Sequence, residues 1–103
     1  MKTIRSAKFT APKAWGSLPI ATLNGTTVKL HWTDAPYIWH VNDGEEVFAV
    51  MDGVVHMHTR VAGVEDVIVL NTGDIFYADI GTEHVAHPQG AARILVIEKE
   101  SSV

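Results

Sequence analysis

Residues 39–53 read WHVNDGEEVFAVMDG, and how this stretch folds decides the rest of the chain. On a strand, His40 and Asn42 share a face, because strand side chains alternate with a period of two. Asn42, Asp43 and Gly44 are turn residues: Asn and Asp bond to their own backbone, and Gly accepts positive φ. The spacing therefore predicts that the chain doubles back here into an antiparallel neighbour. On the return strand Glu46, Phe48 and Val50 share one face, Val47, Ala49 and Met51 the other, and Asp52-Gly53 is the next hairpin signal. An imidazole, an amide and a carboxylate are thereby gathered at one place on a sheet, the residue types that a metal site or a proton-transfer site needs.

At these residues the chain resembles the cupins. The first cupin motif, G(X)5HXH(X)3-4E(X)6G, is met at its spacing by His40, Asn42, Glu46 and Gly53, with asparagine at the second histidine place and Asp34 at the opening glycine. The second, G(X)5PXG(X)2H(X)3N, aligns with GDIFYADIGTEHVAHP at 73–88: Gly73, Gly81 and His84 match, while Asp79 and Pro88 replace the proline and the asparagine. The two motifs stand in the right order, one short interval apart, and cover about half of the chain. The resemblance implies an all-β fold, an antiparallel double-sheet jelly-roll barrel, and residues 1–103 as a single domain. It also implies a divalent metal ion (Fe, Mn, Zn or Ni) held by His40, Glu46 and His84. Asn42 is the odd member, since an amide is a poor ligand beside imidazole; it binds weakly, holds a bound water, or marks a site that has lost its metal.

The remaining pattern agrees with an all-β chain. Residues 1–20, interrupted by Pro12, Gly16 and Pro19, read as an N-terminal arm with one edge strand. Residues 20–23 suggest a strand closed by Asn24-Gly25, a strong hairpin signal. From Thr26 to Trp32 the residues alternate, with Val28, Leu30 and Trp32 on one face and Lys29 and His31 on the other, so His31 is expected to be exposed. Residues 55–61 alternate as cleanly, residues 63–66 read as a polar loop, and residues 67–70, 75–78, those around His84, and 93–98 complete eight or nine short strands. No window of helical length carries an i, i+3, i+4 apolar pattern free of turn signals.

Composition bounds the function. The 103 residues give room for one core, and 47% hydrophobic against 19% charged residues places the chain among globular proteins. A net charge of -4 with eight scattered basic residues argues against nucleic acid. The absence of cysteine excludes disulfides, thiolate metal sites and a cysteine nucleophile. There is no apolar leader and no membrane-length run, so a cytoplasmic protein with no membrane partner is the expectation.

Two classes of function compete. One is a metal-dependent enzyme acting on a small molecule, with Tyr77 or a water held by Asn42 as general base. The other is a non-catalytic module binding a sugar or an organic acid on a relaxed metal site. Glu45, next to Glu46, faces the other way and reads as a surface charge. His56 and His58 share a face with Arg60, opposite Val55 and Met57, and read as an outer face; His87 is expected on the face opposite His84. Trp39, Phe48, Met57, Phe76 and Tyr77 are the large side chains that could line a ligand cavity, although filling a small core needs them equally. Edge strands invite pairing, and the resemblance implies a homodimer.

Overall fold

The computed structural model describes residues 1–100. They form a 3-10 turn at Ser6–Lys8 and nine strands: β1 (Gly16–Leu23), β2 (Thr26–Thr33), β3 (His40–Val41), β4 (Glu46–Asp52), β5 (Val55–Val61), β6 (Val64–Leu70), β7 (Ile75–Ala78), β8 (Glu83–Pro88) and β9 (Ala92–Lys99). Two antiparallel sheets, ordered β1-β2-β9-β4-β7 and β3-β8-β5-β6, face one another in a double-sheet jelly roll. No helix among the described residues is long and apolar enough to cross a membrane.

From β2 onward, every connection except β5 to β6 carries the chain from one sheet to the other. The turns at 42–44 and at Asp52-Gly53, expected as hairpins, are such crossings. β3 pairs with β8, whereas β4 pairs with β7 and β9. The two hairpins are β1–β2, through the expected Asn24-Gly25, and β5–β6, through Ala62 (φ 51°) and Gly63 (φ 78°). Positive φ at both central residues is the turn whose twist matches that of the flanking strands. It lets β6 start at Val64, inside what was expected to be a loop. β1, starting at Gly16, is the edge strand expected in residues 1–20, and it runs on through the strand expected at 20–23.

The core lies between the sheets, where Phe48 and Val50 of β4 and Ile94 and Val96 of β9 meet Val55 and Met57 of β5 and Ala86 of β8. Val50, Val55, Met57 and Ile94 are fully buried, so the alternation read along β4 and β5 holds. On β2 the alternation holds but its sense is reversed. Lys29 is cross-strand neighbour to Val96, and Val96 to Phe48, which places Lys29 and His31 on the inner face. Leu30, on the outer face, is nevertheless 1% exposed. The N-terminal segment lies over that face: its 3-10 turn packs on β4, and Phe9 O accepts a 2.9 Å hydrogen bond from Arg93 Nε. Burying apolar surface drives this packing whichever face of the sheet is covered.

Candidate metal centre

Register brings the candidate ligands together across the two sheets. His40 and His84 are direct cross-strand partners on β3 and β8, with ring centroids 4.1 Å apart. Glu46, at the start of β4, faces them from the other sheet. His84 Nε2 lies 3.1 Å from Glu46 Oε1, and His40, Glu46 and His84 each offer a ligand atom within 4.8 Å of the others. His84 is 2% exposed, Glu46 7%, and His40 is half-buried at the cavity.

Both imidazoles are oriented by the backbone. His40 Nδ1 lies 3.1 Å from Ile38 O and His84 Nδ1 lies 3.2 Å from Thr82 O. A carbonyl only accepts, so Nδ1 carries the proton and Nε2 is left for the site. His84 then has acceptors at both ring nitrogens, yet a neutral imidazole has a single N–H to give. A proton or a metal cation must therefore sit between Nε2 and Glu46. Donors adjacent on one ion, with bonds of about 2.1 Å, stand roughly 3 Å apart, the spacing these two atoms have. The donor set thus fits a divalent ion.

Burial acts to raise the Glu46 carboxyl, but hydrogen bonds from His84 and Glu98 and the adjacent histidines outweigh it and hold the group below its ordinary value. Glu98, the register partner of Glu46 on β9, moves the other way: burial, then the hydrogen bond to Glu46 and its charge, push it up to about 8. Burial is the largest cause, and one proton shared between two carboxylates adds to it, since like charges at contact cannot both ionise cheaply. In metal-free protein the folded state therefore keeps a proton on Glu98 that the unfolded chain releases. That stabilisation is complete below about pH 4.5 and is lost as pH rises through about 8. Glu46 has the opposite sign and loses its contribution only on acidification. Thermal melting of chelator-treated protein should show a midpoint falling from pH 5 to pH 8.5, and Glu98→Gln should flatten that slope. A slope unchanged by Glu98→Gln would refute the shared proton.

Asn42 is buried beside this group, but its amide nitrogen donates to Ala78 O at 3.3 Å, tying the end of β3 to the register partner of Glu46. Tyr77, read as a candidate base, is the partner of Val47 on the outer face, is half-exposed, and donates to the Glu45 carboxylate, which raises its own phenol. It is no part of the cavity. Glu45 is exposed, as expected. His58 meets His87 on the outer face at a centroid distance of 4.2 Å, and Arg60 caps the Trp39 ring at 4.1 Å.

A cavity of about 240 Å³ opens beside the three ligand candidates. Of the large side chains expected around it, Phe48 lines it, Met57 is core and Trp39 lies under Arg60 on the outer face. Its wall also holds Trp15, Tyr37, Lys29, His31 and Glu98, none of them read as site residues from sequence. Trp15 is held at a positive φ of 61° with its indole N–H on Ala35 O, edge-on to both His31 and Tyr37. Backbone strain of this kind persists where surrounding structure imposes it. His31, expected to be exposed, is in the wall; burial pushes its imidazole below the ordinary value, against the pull of its contact with Trp15 O.

No family model matches the sequence, and the search of curated proteins found no match. Among solved structures, a cupin-2 domain containing protein from Shewanella frigidimarina is similar with a TM-score of 0.78 and 27% identity, covering 91% of this chain and 87% of that one. A cupin superfamily protein from Desulfitobacterium hafniense gives 0.77 at 13% identity, over 93% and 87%. Hydroquinone 1,2-dioxygenase from Sphingomonas sp. TTNP3, solved with 4-hydroxybenzoate bound, gives 0.78 at 16% identity over 88% of this chain but 29% of the enzyme.

Proposed function

Since the chain folds as a small cupin, we propose that it binds one divalent metal ion through His40, Glu46 and His84 and presents it to a small molecule in the adjoining cavity. The observation that carries this reading is the pair of imidazoles, each with Nδ1 fixed on a backbone carbonyl and Nε2 left for a shared point with the Glu46 carboxylate. Two histidines and a carboxylate on rigid strands leave coordination positions open, and an ion held so polarises a carbonyl or activates water or oxygen. The protein's part is to hold Glu46 ionised and to keep both imidazoles in one tautomer. Asn42 we assign to positioning: its bond to Ala78 O locks the segment that carries His40 against the strand beside Glu46.

That use of Asn42 is also what favours the second reading, a non-catalytic binding module, because it leaves three strong protein donors where the resembled motif has four. Elemental analysis of protein purified without a histidine tag separates the two. About one ion per chain, removable by chelator and restored by one of iron, manganese, zinc or nickel, is the expected result. No uptake of any of the four, with ligand binding intact in chelator, would leave the binding module. We further assign β6, whose Val64, Val67, Ile68 and Val69 are exposed on a sheet edge, as the surface where a second copy would pair.

A further inference from the structure

The inner wall of the cavity contains a cation that the three-ligand centre does not use. Lys29 lies on the inner face of β2, in the same cross-sheet row as Val96 and Phe48. Among the described residues it makes no ion pair, and the other acidic group of that wall, Glu98, is hydrogen-bonded to Glu46. β2 turns its polar face inward while apolar Leu30 lies on the outer one, an inversion that sets an ammonium in a cavity wall beside Phe48 and Val96, with the charge of Glu98 acting on it only at longer range than an ion pair. A half-buried cation without a contact ion pair has its attraction to anions left available, and a rule broken locally marks a site with a use for it.

We propose that Lys29 anchors an anion and that the ligand is a small monocarboxylate with a ring-sized apolar body. The chemistry of the walls selects this class. Trp15, Tyr37 and Phe48 offer aromatic surface, while His31, His40, Glu46, His84 and Glu98 of the same wall are engaged with the backbone or with one another, which leaves few donors and acceptors for the hydroxyls of a sugar. A doubly charged phosphate would meet one ammonium only, with Glu46 and Glu98 in the same cavity, whereas a single carboxylate matches one point charge. A volume of about 240 Å³ accommodates one substituted ring, given that a dry cavity of roughly 150 Å³ takes up benzene. The proposal rests on the metal reading only for which end of the molecule faces His40, Glu46 and His84; the preference for a carboxylate needs no ion.

Benzoate and its neutral isostere benzamide are the probes, titrated calorimetrically into wild type, Lys29→Met and Lys29→Arg, each in metal-loaded and chelator-treated form. Wild type should bind benzoate at least about tenfold more tightly than benzamide in both forms, the scale of a charge-assisted hydrogen bond. Lys29→Met should bring the ratio close to one with metal content unchanged, and Lys29→Arg should keep most of it. If Lys29→Met does not fold, Lys29→Gln reads the same ratio. A wild-type ratio near one, benzoate failing to bind, or a ratio indifferent to removing the charge overturns the proposal. Should the protein take up no metal, the chelator-treated arm still reads the ratio, so the two failures are distinct.

Discussion

Replacing His84 by alanine is expected to abolish stoichiometric metal uptake and to destabilise the metal-free protein as well. Loss of a direct ligand should weaken metal binding by more than about 100-fold, since removing even an outer hydrogen-bond partner costs about 10–100-fold. The stability effect arises separately. His84 is 2% exposed and lies 3.1 Å from the Glu46 carboxylate, so its removal leaves a buried charge with only the Glu98 hydrogen bond. Breaking a buried pair from one side costs about 3–5 kcal/mol, which lowers the midpoint of a domain this size by more than about 10 °C. His40→Ala is the contrasting variant. His40 is half-buried and its partner is the Ile38 carbonyl, so its loss should remove the ion while moving the metal-free midpoint by only a few degrees. Calorimetric metal titration beside thermal melting of both variants reads the two effects apart. Undiminished metal affinity in His40→Ala would end the three-ligand reading, and an unchanged midpoint in His84→Ala would show that Glu46 is not held by its histidine.

What could be read from the sequence was whatever depends on neighbours along the chain. The alternation on β5 set Val55 and Met57 opposite an outer face, that on β4 grouped Phe48 and Val50 on one face with Glu46, and motif spacing named His40, Glu46 and His84 although their meeting across the sheets is remote in sequence. What escaped depends on partners remote in sequence. Turn residues at 42–44 and 52–53 report that the chain changes direction, but not which sheet receives the next strand, so both crossings read as hairpins. On β2 the period separates two faces without saying which is inside. The apolar face was taken for the core face, and the N-terminal segment reverses that by lying on it, sending Lys29 and His31 into the cavity. Glu98 became a site residue only through the register that sets it beside Glu46. Tyr77 was set on the outer face by the pairing of β4 with β7, as partner of Val47. Trp15 gave no signal beyond its size, because a strained loop residue has no period to betray it.

The glycine that closes the first motif supplies the second large effect. Gly53→Ala is expected to cost at least about 3 kcal/mol, against roughly 1 kcal/mol for Gly73→Ala, a motif glycine of similar backbone geometry. Gly53 has φ 88° and Gly73 φ 94°, so alanine meets a comparable left-handed penalty at both. The surroundings differ. A Cβ at Gly53 would stand 2.7 Å from Ala91 O and 3.1 Å from Ala92 Cα, whereas at Gly73 nothing lies within 4 Å. Those neighbours are backbone at the start of β9, held by the pairing of β9 with both β2 and β4 and by the 2.8 Å Arg93–Asp52 bridge. They cannot turn aside as a side-chain tip would, so relief requires moving β4 and β9 apart. Urea unfolding of the two variants under identical conditions measures the difference directly. If they fall within about 0.5 kcal/mol of each other, backbone angle alone accounts for the glycine. If Gly53→Ala is the far weaker protein, the residue is required because the chain crosses between sheets there, beneath the first residues of β9.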